Sequence, residues 1–98
     1  MQLGAFSVSL AVKDLTASLA FYKKLGFEPL ADMSEQGWAI LKNGDHVIGL
    51  FGKYIDENIL TFNPGWDQNG KNIEPFTDIR ELHAQLEAAG IEVFNANL

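Results

Sequence analysis

Small or polar residues alternate with apolar ones over residues 7–12, where Ser7, Ser9 and Ala11 interleave with Val8, Leu10 and Val12. A period of two predicts a half-buried strand, with the apolar set on one face and the serines on the other. Asp14 follows, a residue type whose carboxylate caps the first free N–H groups of a helix. Leu15, Leu19, Tyr22 and Leu25 then recur at helical spacing and give that helix one apolar face. Gly26 is placed to stop it in the left-handed conformation. Residues 27–30 leave the helix as a short strand, and Pro29 within them predicts a sheet edge. Residues 38–41 and 46–51 read as two more strands, joined through Asn43-Gly44, a pair that tolerates the positive φ of a tight hairpin. The first half of the chain is therefore strand, helix, then three strands.

The second half is less regular. Residues 59–63 have strand character, Pro64-Gly65 breaks them, and residues 66–72 are rich in turn formers. A second helix begins at Asp78, with Ile79, Leu82, Leu86 and Ala89 as its apolar face. Glu81 stands where a capping box would place it, with Asp78 in the role usually taken by Ser or Thr. Gly90 ends this helix, and residues 91–94 read as a strand. The two helical segments superpose without a gap: Asp14-Leu15 on Asp78-Ile79, Ala20 on Ala84, and Gly26-Phe27-Glu28 on Gly90-Ile91-Glu92. Asp at the start and Gly at the end are generic helix signals. The shared apolar residue and glutamate after each glycine carry the match further, to an internal repeat.

Composition narrows the function classes. A chain of 98 residues suits one compact domain, and at that size only roughly 60–70% of the unfolded surface is buried, so a partner can contribute to stability. The net charge of −6 argues against a nucleic-acid partner; the longest basic run, Lys23-Lys24, sits on the first helix. With no cysteine, disulfides, thiolate catalysis and cysteine zinc sites are excluded. No stretch approaches the ~20 apolar residues of a bilayer span, and the first residues lack the basic and apolar segments of a signal peptide. A cytoplasmic location is the expectation, with no nucleic-acid or membrane partner.

The run Val8-Ser9-Leu10-Ala11-Val12-Lys13-Asp14-Leu15, followed by Phe21-Tyr22 and Leu25-Gly26-Phe27, resembles the opening of a module of the vicinal oxygen chelate superfamily (glyoxalase, bleomycin-resistance protein, dioxygenase). Residues 79–93 resemble the helix and following strand of a second module. The resemblance implies an α+β fold: tandem βαβββ modules forming a curved mixed sheet, with the helices on its convex face and the ligand site on its concave face. Residues 1–98 would form a single such domain, with module one over about residues 1–55 and an incomplete module two over about 56–98. The further strands of a full second module, usually with an Asp-Pro-Asp-Gly-Asn turn, have no counterpart before Leu98.

The resemblance also implies where a metal would be held: on the first strand of each module, often by His, and on the last strand, often by Glu. Here those positions fall on Ser7 and Gly49 in module one, and on Ile59 or Lys71 in module two, depending on the register. None offers the imidazole or carboxylate that a transition metal prefers, so no metal and no cofactor is expected. His46 and His83 are not spaced as a ligand pair and read as structural residues, and the acidic 56–58 stretch reads as a solvated turn.

Candidates for ligand contact are Ser7, Ser9, Trp38, Phe51, Thr61, Asn63 and Trp66. Aromatic walls with a few polar groups are the usual form of a small-molecule site. The competing reading is that the aromatics fill a small core or a subunit interface, which suits Trp38 and Phe62; Trp66, in a Pro-Gly-Trp-Asp loop, suits either. Phe6, Phe21 and Tyr22 read as packing residues. Three functions follow from these residues. The first is a metal-free small-molecule-binding protein that forms a homodimer. The second is a glyoxalase-like lyase or dioxygenase whose metal site lies elsewhere in the sequence. The third is a dimeric interaction remnant without catalysis.

Overall fold

The computed structural model describes residues 1–74 and 78–93. The elements are β1 (Ala5–Ala11), α1 (Leu15–Lys24), β2 (Glu28–Met33), β3 (Trp38–Asn43), β4 (His46–Phe51), β5 (Ile59–Asn63) and α2 (Ile79–Ala88), with a 3₁₀ turn over Ser34–Gln36. The five strands form one curved mixed sheet in the order β2-β3-β4-β1-β5. β1 runs parallel to β4 because α1 carries the chain back before β2 begins; the remaining pairs are antiparallel. The predicted α+β class and strand–helix–three-strand module are what the chain forms. Pro29 lies on an edge strand, beside an irregularity in the β2–β3 register.

The core lies between α1 and one face of the sheet. Leu41, Leu50 and Ala39 are fully buried there with Leu19, and Leu10, Val12, Leu15, Tyr22, Phe27 and Ile48 pack around them. The alternation read in β1 is thus correct, with Leu10 and Val12 turned to the helix. Two expected packing positions on α1 differ. Leu25 is the C-cap of α1 and stands 55% exposed, as does Phe21, whose ring meets Tyr22 edge-on.

Both helices are capped alike. The Asp14 carboxylate accepts from the Ala17 N–H and that of Asp78 from the Arg80 N–H. At the far ends Gly26 and Gly90 take positive φ, and paired bonds close the turn: Gly26 N–H to Lys23 O and Phe27 N–H to Tyr22 O, then Gly90 N–H to Glu87 O and Ile91 N–H to Leu86 O. This is the Schellman arrangement in both cases. The capping box is not completed, because Glu81 accepts from the Gln85 side chain one turn on instead of reaching back to Asp78.

The strand expected over 91–94 does not form across residues 91–93, and Phe94 lies outside the described residues. A strand persists only where a neighbour pairs its backbone, and among the described residues none flanks this segment.

Candidate functional site

Register assigns each strand residue to a face. Opposite pairs share a side, so the face away from α1 is crossed by one row of Met33, Trp38, Phe51 and Ala11. The next row holds Ala31, Ile40, Gly49, Ser9 and Ile59. Beyond it Ser7 faces Thr61, Ala5 faces Asn63, and Glu28 faces Lys42 on the far strands. Among the described residues the five strands form an open sheet that does not close on itself.

The two ends of the face differ in chemistry. The rings of Trp38 and Phe51 lie near-parallel, 15° apart in plane with centroids 6.3 Å apart. The Ser9 and Thr61 hydroxyls approach to 3.4 Å. Between them lies Gly49, where a Cβ added to the backbone would meet Phe51 Cε2 at 2.8 Å, Ile40 Cδ1 at 3.2 Å and Ser9 Oγ at 3.5 Å. The Phe51 ring therefore overhangs the glycine, with the Ser9 hydroxyl on its other flank.

Five of the sequence-derived candidates, Ser7, Ser9, Trp38, Phe51 and Thr61, thus share one face. Asn63 is on the same face, but its Oδ1 accepts from the Gly65 N–H and shapes the turn after β5. Trp66 is set apart. Its carbonyl accepts from Ala5 at the start of β1, whereas Phe51 pairs with Ala11 at the end, about 20 Å along the strand at ~3.3 Å per residue. The Trp66 side chain is 48% exposed. Phe62, read from the sequence as a core or interface residue, has the opposite parity from Thr61: it lies on the other face against Phe6, with ring centroids 5.1 Å apart.

Two residues that the sequence did not single out hold β1 at its ends. Gln68 accepts from the Phe6 N–H and donates to the carbonyls of Phe6 and Asp45. It completes the ladder where β4 has not yet begun. Asn58 accepts from the Ala11 N–H at the other end of β1. Neither contact leaves a local signal, since the partners are far apart in sequence.

Charged groups are peripheral. His46 is exposed at the first position of β4, and His83 pairs with Glu87 on α2. The hydroxyl and then the amide of Ser34 donate to Asp32 and hold its carboxyl below the usual range; the Arg80 guanidinium and amide do the same for Asp78. Both carboxylates are exposed, so these are local effects.

A small α+β protein built on a strand–helix–three-strand module, with one sheet face covered by its helix and the other left open, defines a structural class before any ligand is known. The family model of the Glyoxalase/Bleomycin resistance protein/Dioxygenase superfamily matches residues 4–96, and the chain belongs to that superfamily. No curated protein and no solved structure matches it.

The metal that the superfamily implies does not fit the residues present. Ser7 offers a neutral hydroxyl, and Ile59, which the structure places on the strand beside β1, offers no donor atom. At Gly49 even a Cβ would strike the Phe51 ring. Among the described residues no three His, Cys, Asp or Glu side chains converge. Among them also, no helix is long and apolar enough to cross a membrane.

Proposed function

We propose that this protein binds a small molecule on the open face of its sheet without a metal ion. The observation that carries the reading is Gly49: the position where the superfamily would hold a carboxylate is roofed by the Phe51 ring and flanked by the Ser9 hydroxyl. An aromatic pair beside two hydroxyls is a surface for stacking and hydrogen bonding. It offers no general acid or base and no nucleophile activated by one. A glyoxalase-like lyase or a dioxygenase would need a metal centre drawn from residues elsewhere in the chain.

A second copy of the chain completes the site in this reading. Among the described residues β5 is an edge strand, exposed over Ile59 to Phe62 and without a proline inside it, and no second sheet lies above the open face. Pairing across that edge would cover the unpaired backbone and enclose the face.

Manganese broadens NMR signals near its binding site, which tests the metal-free reading directly. Titration with Mn²⁺ should leave the amide signals of Ser7, Gly49 and Ile59 sharp at stoichiometric metal. Selective loss of those three signals would overturn the reading.

A further inference from the structure

We propose that Asn69 is a self-modification site: its side chain closes on the Gly70 nitrogen, loses ammonia and leaves an isoaspartyl link that loosens the Gln68 clamp on β1. Such a ring closure needs a backbone nitrogen within reach of the asparagine side-chain carbonyl carbon. A following glycine has no Cβ to obstruct the approach and adapts its backbone freely. Asparagine precedes glycine twice in the chain, at Asn43-Gly44 and at Asn69-Gly70. Both glycines take positive φ, and open space surrounds the Cβ position of each. The asparagine therefore decides between the two places.

Asn43 is half-buried in β3 and paired with His46 of β4, and its Nδ2 donates to the Leu25 carbonyl at 3.2 Å. Closing the ring there breaks that bond and turns the backbone out of the hairpin ladder. Asn69 is exposed in the turn between Asp67 and Lys71, and no described residue bonds its side-chain amide. The Gly70 N–H donates to the Asp67 carbonyl at 3.1 Å, and that bond is the one the attack must break.

The step balances with one water taken up and one ammonia released. The Gly70 nitrogen gives its proton to solvent and bonds to Asn69 Cγ, while Nδ2 takes up a proton and leaves as ammonia. Water then opens the cyclic imide. Attack at Cγ restores the ordinary backbone as aspartate; attack at the backbone carbonyl gives isoaspartate, in which the chain runs through Cβ and Cγ. Either product puts a carboxylate beside Asp67, whose own carboxylate accepts from the Asn69 and Lys71 N–H groups, and the like charges repel. Isoaspartate also lengthens the backbone immediately after Gln68, the residue that holds Phe6 and Asp45.

Ageing the intact chain at mildly alkaline pH, followed by peptide mapping in a mass spectrometer, tests the proposal. The expected result is that the Asn69 peptide exchanges its amide for a carboxyl about tenfold or more faster than the Asn43 peptide, which must first give up a side-chain bond and a ladder position. Isoaspartate should be among the products. Amide exchange at Phe6 should quicken in the aged chain. Asn69→Gln, whose longer side chain closes the ring poorly, should abolish both changes. Equal or faster reaction at Asn43, or no reaction at Asn69 over a time in which the denatured chain reacts fully, would overturn the site. Isoaspartate at position 69 with unchanged exchange at Phe6 would overturn its link to the clamp.

Discussion

At the scale of single residues, Gly49 decides what this surface can do. Its lack of a Cβ lets the Phe51 ring fold over β4 and keeps the ring near-parallel to Trp38. Gly49→Ala should force that ring aside and cost about 1–3 kcal/mol, the usual range for overpacking. Because the nearest obstacle is the Phe51 ring, ahead of Ile40 Cδ1, Phe51→Ala should absorb much of the penalty. A denaturation double-mutant cycle would then show coupling of about 0.5 kcal/mol or more, and additive effects would contradict the contact. Asp78 gives a prediction in pH. Hydrogen bonds from Arg80 lower its carboxyl pKa in the folded state, so its cap favours folding at pH values above the unfolded pKa of about 3.9. That contribution is lost as pH falls through the depressed folded value. An NMR titration should show Asp78 ionising below a free aspartate while the Arg80 amide shifts in step; an unshifted midpoint would contradict the cap.

At the scale of elements, a side chain stands in for a strand. Gln68 supplies both donor and acceptor to Phe6 and ties Asp45 to the same point. Gln68→Ala should cost about 1–2 kcal/mol, since typical bonds contribute 0.5–1.5 each and water recovers part of the loss. Amide exchange should quicken at Phe6 while Leu50 in the core stays protected. Uniform change across the sheet would argue against a local role. What could be read from the sequence follows the same division. The β1 alternation, the Asp14 and Asp78 caps, the Gly26 and Gly90 stops and the Asn43-Gly44 hairpin all act within a few residues, so each leaves a local pattern. The face holding Ser7, Ser9 and Phe51 was legible through parity alone. Parity likewise separates Phe62, on the other face, from Thr61 and Asn63 on this one. The strand at 91–93 failed because local β character does not supply a neighbour. The Gln68 clamp and the Phe51 overhang depend on contacts between strands, and no local pattern announces them.

At the scale of the whole molecule, the described chain is long and thin, 43 × 28 × 20 Å with a radius of gyration of 15.0 Å. A compact domain of this length has about 13 Å. Phe6, Leu60 and Phe62 are 39%, 66% and 46% exposed along the β1–β5 flank, beside an edge that no described strand pairs. A homodimer across that flank would bury this surface, and Leu60→Glu should weaken it by placing a charge in an apolar contact. Dilution followed by light scattering should show the variant dissociating at a higher concentration than the parent chain. Equal midpoints would move the interface elsewhere.

Native mass spectrometry on protein purified without chelator tests the central claim most directly, because it weighs subunits, metal and retained ligand together. The account predicts a dimer of the 10.8 kDa chain, free of stoichiometric metal, that carries an added organic mass released on denaturation. A stoichiometric metal ion, held until the protein is denatured, would contradict it and return the chain to the metalloenzymes of its superfamily.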